Sequence, residues 1–189
     1  MRITTIQGSP RHGGNTATVL GWVEGRLRDQ GHEVDRIDLA SQEVGPCVSC
    51  YSCQGEKSLR RCVLPDDAPG LFDRMAASDA IVLAGPLYFW GVSAQLKALV
   101  DRSFSMVTGY GGPQHTSELG GRRLGMLVTC EDGNVEGNAD LIAPFTHRLA
   151  DYLRCTVAAE VIVTGCKSPD LLGDDARALA TRFADDLTR

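Results

Sequence analysis

Residues 45–67, GPCVSCYSCQGEKSLRRCVLPDD, hold Cys47, Cys50, Cys53 and Cys62, four of the chain's seven cysteines, in the pattern C-x2-C-x2-C-x8-C. Three thiolates at the first two spacings can wrap one corner of a cubane iron–sulfur cluster. A structural zinc site more often uses two separated C-x2-C knuckles. A metal here would therefore be a [4Fe–4S] cluster sooner than zinc. Thiols also pack well as small apolar groups. Arg60 and Arg61 could favour the thiolate of Cys62, giving a redox-active thiol or a disulfide with a neighbour. The packing-or-thiol reading is preferred, with the cluster as its alternative.

Two further stretches carry chemistry. Residues 8–16, GSPRHGGNT, combine Gly8, Gly13 and Gly14, which let amides approach an anion, with Ser9, Arg11, Asn15 and Thr16 as polar and cationic partners. A helix starting near Asn15 would aim its free N–H groups and positive dipole end at the same place, favouring a phosphate over a plain capped turn. No Gly-Lys-Ser/Thr ends the stretch and no G-x-G-x-x-G runs through it, so it is neither a Walker A loop nor a dinucleotide fingerprint. Residues 85–90, GPLYFW, set Tyr88, Phe89 and Trp90 in a row. Such rings could wall a flat ring system, or merely cover a sheet end or a subunit interface. Pro86 and Gly91 would fix and bend the backbone so that its amides face a ligand edge.

These stretches need elements to hold them. Short apolar runs at 2–7, 34–39, 80–84, 124–130 and 157–164 alternate with segments of helical period, such as Val19, Leu20, Val23 and Leu27. The run AIVLA at 80–84 reads as a central parallel strand, and the charges at Asp35, Arg36 and Asp38 suit a sheet edge. Ser93 can cap a helix whose core face is Leu96, Leu99, Val100 and Phe104. Pro144 belongs in the first turn of a later helix, or kinks it. Residues 106–121 read as a long loop. The pattern predicts an α/β fold: an open five-stranded parallel sheet in the flavodoxin-like order 2-1-3-4-5, helices on both faces, in one domain spanning 1–189 with a Cys-rich loop at 45–67. Ligands in such sheets sit beyond the C-terminal strand edge, here the loops after Gln7, Ala84 and Thr129.

Composition narrows the partners. A formal charge of −5 argues against non-specific attraction to nucleic acid or an anionic membrane surface. No apolar run approaches the roughly 20 residues of a membrane span. Met1 leads directly into RITTIQG, so a cytoplasmic address is expected. His12, His32, His115 and His147 have no partner visible in the sequence, although His12 could touch a phosphate and His115 a substrate. Asp101 and Arg102 read as a helix-end charge pair, and Cys130, Cys155 and Cys166 as core residues.

Taken together, GSPRHGGNT at 8–16, CVSCYSC at 47–53, CVLPDD at 62–67 and GPLYFWGVSAQLKALVDR at 85–102 resemble the NADPH-dependent FMN reductase group of flavodoxin-like proteins. The resemblance implies that Ser9, Arg11, Gly14, Asn15 and Thr16 hold the FMN phosphate. It also implies that Pro86, Leu87, Tyr88, Phe89 and Trp90 lie along the isoalloxazine and that the loop from Thr129 closes the ring or ribityl side. The expected activity is hydride transfer from NAD(P)H to flavin N5 and on to a small acceptor: a quinone, an azo or nitro compound, or free flavin. No side-chain acid or base is required, and the amides of residues 87–90 are expected to polarise the ring. A homodimer or higher homo-oligomer is expected. Iron–sulfur flavoproteins are a branch of the same resemblance, with a shorter last spacing, so an electron carrier with a cluster on Cys47, Cys50, Cys53 and Cys62 is one alternative. A non-redox phosphate-binding module with a zinc-clamped loop is another.

Overall fold

β3, Ala80–Pro86, is buried over all but its last residue, as its unbroken apolar run requires. It pairs in parallel with β1, Arg2–Gln7, on one side and with β6, Arg123–Thr129, on the other. β2, Glu33–Asp38, and β7, Thr156–Val163, close the two edges, giving the all-parallel order β2-β1-β3-β6-β7. Counting only these five strands, this is the expected 2-1-3-4-5 order of the flavodoxin-like fold. The computed structural model describes residues 1–54 and 62–189. Arg60 and Arg61, invoked above for Cys62, lie outside the described residues.

Strand alternation divides the core between two faces. Ile3 packs with Val19, Leu20, Val23 and Leu27 of α1, Asn15–Asp29, and with Phe183 and Leu187 of α5, Asp174–Thr188. Ile6 faces the opposite way, towards Leu71 of α2, Ala68–Ala76, Leu96 of α3, Ala94–Arg102, and Ile142 of α4, Ile142–Tyr152. Pro144 sits in the first turn of α4, where a missing N–H is harmless. Ser93 caps α3 as its sequence position suggests, its Oγ accepting from Leu96 N at 3.3 Å.

The stretch 106–121 is more ordered than a loop. A 3-10 turn at Ser103–Met106 leads into a two-stranded antiparallel hairpin, β4, Val107–Thr108, with β5, Thr116–Ser117. Strands of two residues have no period to read, which is why the sequence hides them. Gly109 is left-handed at φ 71°, and a Cβ there would meet Gln114 O at 2.3 Å, so the hairpin needs glycine at this point.

Candidate functional site

Four tertiary contacts bring the expected loops together at the C-terminal edge of the sheet. Gly8 N donates to Ala84 O at 2.7 Å, and the carbonyl of Gly8 accepts from Ser93 Oγ at 2.5 Å, tying the first loop to β3 and α3. A Cβ on Gly8 would stand 2.7 Å from Leu96 Cβ and 3.1 Å from Ala84 O, so this close approach is open to glycine alone. The hydroxyls of Thr16 and Thr129 meet at 2.7 Å, both residues buried. Leu87 N donates to Thr129 O at 2.9 Å, joining the second loop to the third.

The first loop has the free groups of an anion cradle. Gly14 caps α1 without any side-chain cap hydrogen bond, leaving the first N–H groups of that helix open at its positive end. Ser9 is buried, and its Oγ accepts from Arg11 N at 3.1 Å while its own proton remains to be donated. The Arg11 guanidinium is exposed and has no acidic partner among the described residues. Asn15 differs from expectation. Its Nδ2 donates to Cys166 O at 2.7 Å, and its buried Oδ1 has no partner. An unmet buried acceptor costs free energy, and a phosphate, itself an acceptor, cannot satisfy it. A hydroxyl donor, as on a ribityl chain, can. The residues present therefore fit FMN: Ser9, Thr16 and the α1 N-terminus could hold its phosphate, Gly14 N–H being taken by Arg11 O, and Asn15 could serve a hydroxyl.

The second loop ends in a tight turn. Tyr88 and Gly91 exchange hydrogen bonds of 2.9 and 3.0 Å, and Phe89 and Trp90 between them are left-handed, with φ of 45° and 62°. Left-handed backbone costs about 1–2 kcal/mol for a residue with a Cβ. Tyr88, Phe89 and Trp90 are 46%, 92% and 53% exposed, while Pro86 and Leu87 are half-buried. The N–H groups of Leu87 and Tyr88 are taken up by Thr129 and Gly91. Of the 87–90 amides expected to polarise a ring, those of Leu87 and Tyr88 are thus ruled out, and those of Phe89 and Trp90 are left free.

The cysteine loop lies elsewhere. Cys47, Cys50, Cys53 and Cys62 line one cavity of about 860 Å³, shared with the C-terminal end of α3, with α4 and with Leu141 at the end of the third loop, while no residue of the first two loops lines it. Among the described residues no group of three or more His, Cys, Asp or Glu stands close enough to hold a metal ion. As placed, the four thiols are therefore not a ligand set. Hydrogen bonding from Ser52 holds the exposed Cys50 thiol below the usual range, whereas burial raises that of Cys53. Burial pushes the thiols of Cys155 and Cys166 up to about 11, as suits core residues.

Arg102 is the residue that sequence reasoning missed. Its side chain is fully buried, and Asp66, not Asp101, is its partner, with Nη1 to Oδ2 at 2.6 Å and Nη2 to Oδ1 at 2.9 Å. Its Nη1 also donates to Gly45 O at 3.0 Å and its Nε to Cys62 Sγ at 3.1 Å. Asp101 pairs instead with Lys97 at 2.7 Å. One guanidinium thus clips both arms of the cysteine loop to α3. Three of the four histidines serve structure: His115 Nε2 contacts Tyr152 O at 2.7 Å, His147 meets Glu160 at 3.0 Å, and His32 lies 3.2 Å from the N-terminal amine, while His12 is exposed on the first loop.

The family described as NADPH-dependent FMN reductase matches residues 1–164. An iron-sulfur flavoprotein of Methanosarcina thermophila is 39% identical over 103 residues, 54% of this chain and 52% of that one. Another, from Methanocaldococcus jannaschii, is 37% identical over 121 residues, 64% of this chain and 60% of that one. The chain thus matches little more than half the length of these relatives. Among solved structures, the NAD(P)H:quinone oxidoreductase from Methanothermobacter marburgensis superposes with a TM-score of 0.75 at 18% identity, covering 100% of this chain and 98% of that one.

Proposed function

Because the chain belongs to the NADPH-dependent FMN reductase family, we propose that it is an FMN-dependent NAD(P)H oxidoreductase that reduces a small acceptor: a quinone, an azo or nitro compound, or free flavin. The observation that carries this reading is the convergence of three loops on the uncapped N-terminus of α1, with the buried hydroxyls of Ser9 and Thr16 beside it. Bound FMN would accept hydride from NAD(P)H and pass electrons to the acceptor. The chain supplies the rest. Ser9, Thr16 and the first amides of α1 hold the phosphate, assisted by Arg11. Asn15 holds a hydroxyl through Oδ1. The free amides of Phe89 and Trp90 orient the ring edge, and no side chain has to move a proton. No helix among the described residues is long and apolar enough to cross a membrane. The cytoplasm as the place of action and a homodimer as the working form complete the proposal. The exposed apolar residues Val48, Tyr51, Tyr110 and Leu141 around one cavity support the dimer.

A second reading, an iron–sulfur flavoprotein passing electrons to another protein, is favoured by the four thiols that line one cavity. It requires the loop to close further than it does here. One experiment separates the two readings. Protein purified without oxygen is examined by absorption and by iron and acid-labile sulfide analysis. Flavin bands with sub-stoichiometric iron support the first reading, and flavin with about four irons per chain supports the second. Colourless protein that takes up no added FMN overturns both.

A further inference from the structure

Gln7 is the last residue of β1 and is completely buried. A buried amide needs partners for both its acceptor and its donor, and this one finds them in the first loop. Its Oε1 accepts from Ser9 N at 2.5 Å, and its Nε2 donates to Arg11 O at 3.2 Å. One planar group rooted in the sheet thus grips the loop on either side of Pro10. The loop adds ties of its own: Arg11 N donates to Ser9 Oγ at 3.1 Å and Gly14 N to Arg11 O at 3.4 Å. The N–H groups of Ser9, Arg11 and Gly14 are therefore taken up inside the loop, and Pro10 has none. What remains for an anion is the proton of the buried Ser9 hydroxyl, held in place by these bonds, and the first N–H groups of α1. An amide suits this position because it offers one acceptor and one donor. A carboxylate would accept from Ser9 N but could not donate to Arg11 O, and it would set a negative charge beneath an anion site.

We propose that Gln7 is a positioning residue: acting through Ser9 and Arg11, it holds the phosphate end of the site in its binding shape before the cofactor arrives, and so sets this chain's preference for FMN over riboflavin, which lacks the phosphate. This rests on the FMN reading above and deepens it. A loop already held in its bound shape loses less freedom on binding, and the gain appears as affinity. Because the brace acts on the phosphate end alone, it bears on FMN and not on a flavin without a phosphate. Each neutral hydrogen bond shifts an equilibrium by a few-fold, so the two Gln7 bonds together correspond to about tenfold.

Gln7→Met provides the test, since methionine keeps the length of the side chain, packs readily and removes both hydrogen bonds. Flavin-free wild type and variant are titrated with FMN and with riboflavin by fluorescence quenching, and circular dichroism checks the fold. Amide hydrogen exchange of the flavin-free wild type, read by NMR, reports on the Ser9 N–H directly. The expected result is FMN affinity lowered about tenfold in the variant, with riboflavin affinity within about twofold of wild type. The Ser9 amide should exchange about a hundredfold more slowly than in an unstructured peptide. Unchanged FMN affinity overturns the proposal, and so do equal losses for both flavins, which would make Gln7 a general support of the fold. A Ser9 amide that exchanges as in an unstructured peptide overturns it as well, whether or not the variant folds. A wild-type protein that binds no FMN, or binds FMN and riboflavin equally, overturns the reading on which the proposal rests, and is recognised before any variant is compared.

Discussion

Replacing Arg102 with methionine keeps much of the volume and removes the charge, so its effect isolates the clip beneath the cysteine loop. The guanidinium side chain is fully buried and that of Asp66 is only 14% exposed. Without it, Asp66 keeps two backbone donors, Gly45 N at 3.0 Å and Ala68 N at 3.2 Å. Gly45 O loses its donor as well. Breaking one side of a buried ion pair costs about 3–5 kcal/mol, because the remaining charge stays buried. The partial exposure of Asp66 places the expected loss near the lower end, at about 3 kcal/mol in urea unfolding at neutral pH. Adding Asp66→Asn should return part of that loss, since an uncharged amide no longer demands a cation. The pH dependence gives an independent check. The Arg102 hydrogen bonds hold the Asp66 carboxyl below the usual carboxylate range. The stability this contributes is present above the unfolded pKa of about 4 and fades as pH falls through the lower folded value. The gap between wild type and Arg102→Met should therefore narrow in acid. A loss under about 1 kcal/mol, or a gap that stays constant from pH 7 to pH 3, would refute the reasoning.

Further outcomes follow from the cradle and the thiols. Asn15→Ala should weaken FMN retention by about 1–3 kcal/mol, read by fluorescence quenching, because both the Cys166 tie and the free Oδ1 are lost. Gly8→Ala should destabilise the chain by about 1–3 kcal/mol and weaken FMN retention, since the added methyl overlaps Leu96 Cβ at 2.7 Å; thermal unfolding with and without FMN measures both. Cys50→Ala should leave NAD(P)H oxidation by the FMN-loaded protein intact. If instead the flavin stays bound while reduction of an external acceptor is lost, the electron-carrier reading gains. The Asp35 carboxyl, held low by its bond to Arg74 at 2.6 Å, adds to the stability lost below about pH 4, so Asp35→Asn should flatten the acid limb of an unfolding-versus-pH curve.

How far these features could be read in advance depended on the range of the interaction. The buried run at 80–84, the helical period of α1 and the cap at Ser93 are local, and local pattern revealed them. The arrival of Thr129 beside Thr16, 113 residues away, followed from strand order rather than from any pairing signal. The tie from Asn15 to Cys166 spans 151 residues and had no signal at all. Arg102 was misread because its neighbour in sequence is an acid. Adjacent residues on a helix point about 100° apart, so Asp101 and Arg102 could not face one another. A better sign was available: Arg102 falls three residues after Leu99, itself three after Leu96, and so continues the buried stripe. An arginine on such a stripe needs a buried carboxylate, and CVLPDD supplied one.

The mechanical role of α3 ties these observations together. At its N-terminus Ser93 Oγ does two jobs, accepting from Leu96 N and donating to the Gly8 carbonyl, so the helix start and the first loop are fixed by the same hydroxyl. At its C-terminus Arg102 clips Gly45, Asp66 and Cys62. Nine residues of helix, about 13 Å of rise, separate the two anchors. Its middle is set into the core through Leu96 and Leu99, which leaves it little freedom to bend. The segment GPLYFWGVSAQLKALVDR is therefore one structural device: an aromatic turn, a cap that holds the first loop, a rigid rod, and a cation that holds Gly45 and Asp66 at the described ends of the cysteine loop. The cost of burying Arg102 has its return in the placement of Gly45, Cys62 and Asp66, which sets both described ends of the cysteine loop against α3.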